Sequence, residues 1–108
     1  MIFRRRFGEL IDRQLDLFAQ DNDELLERAA DAEDEYRRAG RDESEERFVD
    51  FQDVLAEGSE LLVAIRDAYA ETLDDDAAAE YAAAFDFGVV RRFPQFALEL
   101  EPEEDDED

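Results

Sequence analysis

The chain has 108 residues, 34 of them acidic and 12 basic, every base an arginine, for a formal charge of −22 at pH 7. It contains no His, Cys or Trp, which excludes Ser-His-Asp and Cys-His catalysis, imidazole or thiolate metal sites, His-ligated haem and disulfides. Any chemistry is left to carboxylates, Arg, Tyr and hydroxyls. The longest apolar runs, such as residues 61–65, fall far short of the ~20 residues that cross a bilayer. Arg4, Arg5 and Arg6 are followed by no apolar run or small-residue cleavage site of the kind a signal peptide carries. A soluble, cytoplasmic protein is expected.

The charge is unevenly spread. Residues 1–20 net +1, residues 21–76 net −15, residues 77–98 are balanced, and residues 99–108 hold eight acids and no base. Seven of the nine Phe lie in the two near-neutral segments: Phe3, Phe7, Phe18, Phe85, Phe87, Phe93 and Phe96. Length predicts one helical domain over 1–98. The acidic stretch 99–108 has nothing to bury and is expected to be a disordered tail.

In chain order, Phe3, Phe7, Leu10 and Ile11 open a stripe on one helix face. Leu15, Phe18, Asn22, Leu25, Ala29, Ala32, Tyr36 and Ala39 extend it in steps of four and three, the spacing of a coiled-coil seam. This predicts a helix over about 3–39, with Asn22 the one interruption. Asp21 and Glu24 have capping-box spacing, which marks 21–23 as a place where the helix breaks or kinks. Gly40 is a stop, with Arg37 and Arg38 well placed in the last turn. Asp42 or Ser44 is then expected to cap a helix over 43–73, with a stripe of Ser44, Phe48, Phe51, Leu55, Gly58, Leu62, Ile65, Tyr69 and Thr72. Asp74, Asp75 and Asp76 introduce a third helix over 76–92, where Ala78, Tyr81, Phe85 and Val89 share a face. Pro94 ends it. Beyond it Phe96, Leu98 and Leu100 alternate with Ala97, Glu99 and Glu101, the period of an extended strand.

The expected fold class is all-α. The first two helices form an antiparallel, coiled-coil-like hairpin, a third helix completes a small three-helix bundle at one end, and a short extended segment and the acidic tail follow. In this arrangement Phe18 lies near residues 62–65, and Gly58 allows close approach opposite Leu25. The half of the hairpin distal to the third helix is a thin acidic projection and should be its least stable part.

Glu24-x-x-Glu27, Glu43-x-x-Glu46, Glu57-x-x-Glu60 and Glu71-x-x-Asp74 place carboxylate pairs on single helix faces, a geometry suited to a hard cation such as Mg²⁺. These pairs resemble the ExxE and ExxD elements of the all-α nucleoside triphosphate pyrophosphohydrolases. The resemblance implies a carboxylate-held Mg²⁺ and phosphohydrolase chemistry. In that family the two pairs face each other from neighbouring helices, whereas Glu57, Glu60, Glu71 and Asp74 run along one helix. A solvated acidic face accounts for them, and no catalytic residue, metal ligand or cofactor is assigned.

Arg4, Arg5 and Arg6 between Phe3 and Phe7 have the composition of an interfacial or nucleic-acid-binding helix. The negative charge elsewhere opposes such a surface, and the same residues serve to close the base of the bundle while the Arg side chains pair with Asp74, Asp75 and Asp76. No membrane span and no direct nucleic-acid contact are expected. The acidic surface fits a high-salt cytoplasm, and a GC-rich genome would give the Arg and Ala bias. It also fits a DNA mimic or an inhibitor of a basic protein, with carboxylates standing where phosphates would.

The main expectation is a non-enzymatic interaction or assembly protein, either a homo-oligomer or the binder of a protein partner, working through its near-neutral Phe-rich end. A core this small is expected to leave Phe3, Phe7, Phe87, Phe93, Phe96 and Leu98 as the interface; the alternative is that Phe93 and Phe96 fold back to cap the core.

Overall fold

The computed structural model describes residues 2–97, with side chains from Arg6 onward. Among these residues the secondary structure is four α-helices and one short 3₁₀ turn, with no strand. The helices are α1 (Ile2–Asp21), α2 (Asp23–Arg38), α3 (Ser44–Ala70) and α4 (Asp75–Arg92), and the turn spans Pro94–Phe96.

The first stripe is divided at Asn22 into α1 and α2, and the interruption is a kink. The Phe18 carbonyl accepts from the Asn22 backbone N–H at 3.0 Å, and Leu26 N–H donates to the Asn22 carbonyl at 3.0 Å, so the ladder crosses the junction. The Asn22 side-chain amide also donates to the Phe18 carbonyl at 3.0 Å. That oxygen is shared, and the Asn22 backbone swings out to φ −127°, ψ 35°; side-chain competition of this kind bends helices. The expected capping box at Asp21 does not form: Asn22 is the N-cap and makes no side-chain cap bond. The α3 cap is likewise Glu43, without a side-chain bond, in place of Asp42 or Ser44. At α4 the Asp74 carboxylate accepts from Ala77 N–H at 2.9 Å, satisfying one of the open donors of the first turn.

The directions of the helices follow from their contacts. Tyr69 lies on Tyr81, with ring centroids 4.8 Å apart, Arg66 pairs with Asp86, and Ser59 reaches Phe96, so α3 and α4 run antiparallel. Arg6 pairs with Glu80, Phe7 meets Tyr81 edge-on and Phe18 meets Phe93, so α1 and α4 run parallel. Arg28 pairs with Glu57 at 2.9 Å and Tyr36 touches Phe48 and Phe51, which sets α2 antiparallel to the first half of α3. The main neighbour of α1 is α4 and not α3. Gly88 is the local reason: a Cβ there would stand 3.2 Å from Ile11 and 3.3 Å from Leu15, so its absence lets the α4 backbone approach α1.

The core gathers where α1, α3 and α4 meet, with Leu15, Phe18, Leu62, Tyr81, Phe85, Val89 and Phe96 fully or almost fully enclosed. Along the α2–α3 arm burial stops early. Leu25 and Ala29 are the buried residues of α2, and nothing in α3 before Gly58 is buried.

The extended segment expected after Pro94 is corrected as far as the described residues go. Pro94–Phe96 is a 3₁₀ turn that folds the chain back onto α3. Phe96 is enclosed, its ring set against Phe18 and Phe93. Gly58 makes the room for it, since a Cβ there would fall within 3 Å of three atoms of the Phe96 ring. The neighbour that most needs the glycine is thus the Phe96 ring. The buried Ser59 hydroxyl donates to the Phe96 carbonyl at 2.7 Å, fastening the turn. The residues expected to alternate from Leu98 onward, and the tail 99–108, lie outside the described residues.

Candidate interaction surface

Between Ala77 and Val90, α4 carries three charged or polar-tipped side chains, Glu80, Tyr81 and Asp86, on a helix otherwise built of Ala, Phe, Gly and Val. A helix apolar on nearly every side is normally buried all round. This one buries one face, Ala77, Tyr81, Ala84, Phe85 and Val89, and leaves another in solvent. Ala79, Ala83, Phe87 and Val90 are exposed at steps of four, four and three, so they form a single outward stripe. Phe87 is 42% and Val90 38% exposed. Leu61 on α3 is a further exposed apolar residue, and the antiparallel packing puts it level with the C-terminal end of α4.

The α4 charges are mostly answered from within the molecule. Glu80 accepts from Arg6 at 3.1 Å, and Arg92 reaches Asp16 at 2.9 Å. Arg66 holds both oxygens of Asp86, at 2.9 and 3.1 Å, and also contacts Asp67 at 3.0 Å. Burial works against the Arg66 cation, but the two carboxylates outweigh it and raise its pKa. At Asp86 burial wins over the pull of Arg66, and the carboxyl is raised above its usual range. Arg91 makes no ion pair with the described residues; its guanidinium lies 5.8 Å from the Phe87 ring centroid. The buried Tyr81 hydroxyl donates to the Gln14 side-chain oxygen at 2.8 Å, and burial pushes its pKa up to about 12.

Of the six residues expected to form the interface, the four whose side chains are described do not share one exposed surface. Phe7, Phe93 and Phe96 are inside the core, which corrects the expectation that the core is too small to cover them: the 3₁₀ turn folds two of the rings inward, and Phe7 closes on Tyr81. Phe87 is outward. The Phe3 side chain and Leu98 lie outside the described residues. Sequence reasoning missed Ala79, Ala83 and Val90. The available signal was the scarcity of polar residues between Ala77 and Val90, too few to line a solvent-adapted face.

Arg6 lies over the Phe7 ring at 5.0 Å and in a shallow cleft lined by Asp74, Asp75, Asp76 and Glu80. Its ion pair is with Glu80, in place of the aspartates expected from sequence. The side chains of Arg4 and Arg5 fall outside the described set. The carboxylate pairs are dispersed: Glu24, Glu27, Glu57, Glu60, Glu71 and Asp74 are all exposed, Glu57 is taken by Arg28, and Asp74 caps α4. Among the described residues no group of three or more acids converges to hold a metal ion, and no helix is long and apolar enough to cross a membrane.

Fold and surface together define an acidic protein whose described residues are helical and include an apolar face of α4 in solvent. No protein-family model, curated protein or solved structure matches the chain.

Proposed function

We propose that the chain is a non-enzymatic assembly or interaction protein. In this reading a three-helix core carries an acidic two-helix projection and makes its protein contacts through the outward stripe of α4. The observation behind it is the exposure of Ala79, Ala83, Phe87 and Val90 on a stretch of α4, Ala77 to Val90, in which Glu80 and Asp86 are the charged residues. Interface cores are depleted in charge and enriched in aromatic side chains. The stripe falls in the one long segment, residues 77–98, whose acids and bases balance. By contrast, exposed Phe48 and Val49 on the arm lie within a segment of net −15, where the carboxylates keep the surface solvated.

Light scattering of the full chain from low to molar NaCl tests the proposal, with Phe87→Ser as the control. A wild-type particle heavier than one chain, reduced towards a monomer by Phe87→Ser, supports it. A strict monomer at every salt and protein concentration overturns it. A second reading, capture of a basic protein, is favoured by the exposed acids of the arm, such as Glu24, Glu27, Asp31 and Asp34. Such binding would weaken as salt rises, and failure to bind any basic DNA-binding protein at low salt removes it.

A further inference from the structure

Resting on the reading of the outward α4 face as a contact surface, we infer that its occupant is a second copy of this chain, docked antiparallel. Phe87 of each copy seats on the partner's Ala83, and Arg91 of each meets the partner's Glu80. Three features of the face carry this.

The first is shape. The stripe runs from small to large, Ala79 and Ala83 and then Phe87 and Val90. A twofold axis between Ala83 and Phe87 lays each large side chain on a small one, the self-complementarity a closed dimer requires. It also sets Ala79 opposite the partner's Arg91. A parallel pair would stack Phe87 on Phe87 and leave Ala83 facing Ala83.

The second is charge. Glu80 and Arg91 are eleven residues apart, three turns of helix, and so lie on one flank of the stripe. Flanking charges of this kind fix partner and orientation in paired helices. Antiparallel docking puts the two flanks on the same side of the seam and brings each Arg91 to the partner's Glu80, whereas in a parallel pair the two flanks fall on opposite sides of the seam and no such pair forms. The helix ends agree: Asp75 and Asp76 occupy the first turn and Arg91 and Arg92 the last, so the antiparallel arrangement opposes unlike charges and unlike dipole ends. The Arg6–Glu80 pair is exposed on both sides, and sharing Glu80 with Arg91 costs little.

The third is the field of the whole molecule. Each copy carries −22, and the balanced segment 77–98 is the face on which two copies meet with least repulsion. The screening length falls from ~10 Å at 0.1 M salt to ~3 Å at 1 M, so added salt strengthens the dimer, the opposite sign from capture of a basic partner. One helix face is smaller than the ~800 Å² per partner of a standard interface, so the dimer dissociates on dilution.

The chain has no cysteine, so introduced thiols report the register without interference. Full-length Ala79→Cys and Arg91→Cys variants are mixed in equal amounts in molar NaCl and oxidised, and the products are compared with each variant alone. In parallel, sedimentation measures dimerisation of Arg91→Glu, Glu80→Arg and the double exchange, with circular dichroism confirming that each is folded. The expected result is a disulfide between the two different variants and little between like ones. Each single reversal weakens the dimer about tenfold, and the double exchange restores it to within about twofold. Association that persists with like-to-like disulfides, or with no response to the charge reversals, overturns the antiparallel dimer while the contact reading stands. A wild-type monomer throughout overturns both.

Discussion

Phe96 is the residue on which the C-terminal end of the structure turns. Its ring fills the gap above Gly58, and its carbonyl is held by the buried Ser59 hydroxyl. The ring cannot retreat easily, because Phe18 and Phe93 flank it. Gly58→Ala should therefore destabilise by about 1–3 kcal/mol through overpacking, despite the ~1 kcal/mol that Ala gains over Gly inside a helix. Gly8→Ala is the matched control, since its Cβ meets nothing within 4 Å; chemical denaturation of the two variants should move the midpoint in opposite directions. Tyr81 gives a prediction in pH. Its folded-state value of about 12 lies above the ordinary 10.0, so the folded state holds the phenolic proton more tightly than the unfolded chain does. That stabilisation is complete below pH 10 and is lost as pH rises through 12, an amount of about 2–3 kcal/mol. The chain has no Lys or Cys to titrate in the same range. Alkaline unfolding should be steeper for the wild type than for Tyr81→Phe, and coincident curves would refute this. At this scale periodicity read the core well: Ile11, Leu15, Phe18, Leu25, Leu62, Tyr81, Phe85 and Val89 are all buried. For Phe96 the residues leave two readings open, exposed contact or cap of the core, and the second holds because Gly58, 38 positions earlier, leaves room for the ring, which no local pattern records.

The kink at Asn22 illustrates what a seam reports at the level of helices. The same four-and-three spacing runs from Ile11 to Ala39, and it names the inward face correctly on both sides of the bend. It does not report depth. Where α1 lies against α4 the seam is enclosed, whereas beyond Ala29 it has α3 alone as a neighbour, and Tyr36 and Phe51 are half-buried with Phe48 exposed. Nor does spacing tell which helix will be the nearest neighbour: α1 lies chiefly on α4 through the opening at Gly88. The ion pairs across the arm, Arg28 with Glu57 and Arg47 with Glu35, are exposed and add little stability. Native-state hydrogen exchange should accordingly show amides of residues 30–38 and 46–56 opening at a lower free energy than those of residues 81–90 in α4. Equal protection across both groups would mean that the arm is held by something beyond its own packing.

For the molecule as a whole, the dominant quantity is −22. Ten ion pairs among the described residues use only part of the acid surplus, so compaction brings like charges together, and self-repulsion of this kind destabilises a folded state. Thermal unfolding measured at concentrations too low for association should shift to higher temperature as NaCl rises from 0.05 to about 1 M; a flat or falling trend would show that the acids are accommodated without strain. The partition of charge along the chain was legible from the residues alone. The position of the neutral surface was not, because it depends on which side of α4 the other helices leave open. The Ser59–Phe96 fastening also closes a loop: it joins the middle of α3 to the turn after α4 across 37 residues of chain, and Ala97 is buried beside it. The α3–α4 pair is thereby pinned at both ends, by the short connection at residues 71–74 and by this clasp, so α4 can fray from its C-terminal end only if the Phe96 ring first leaves the core.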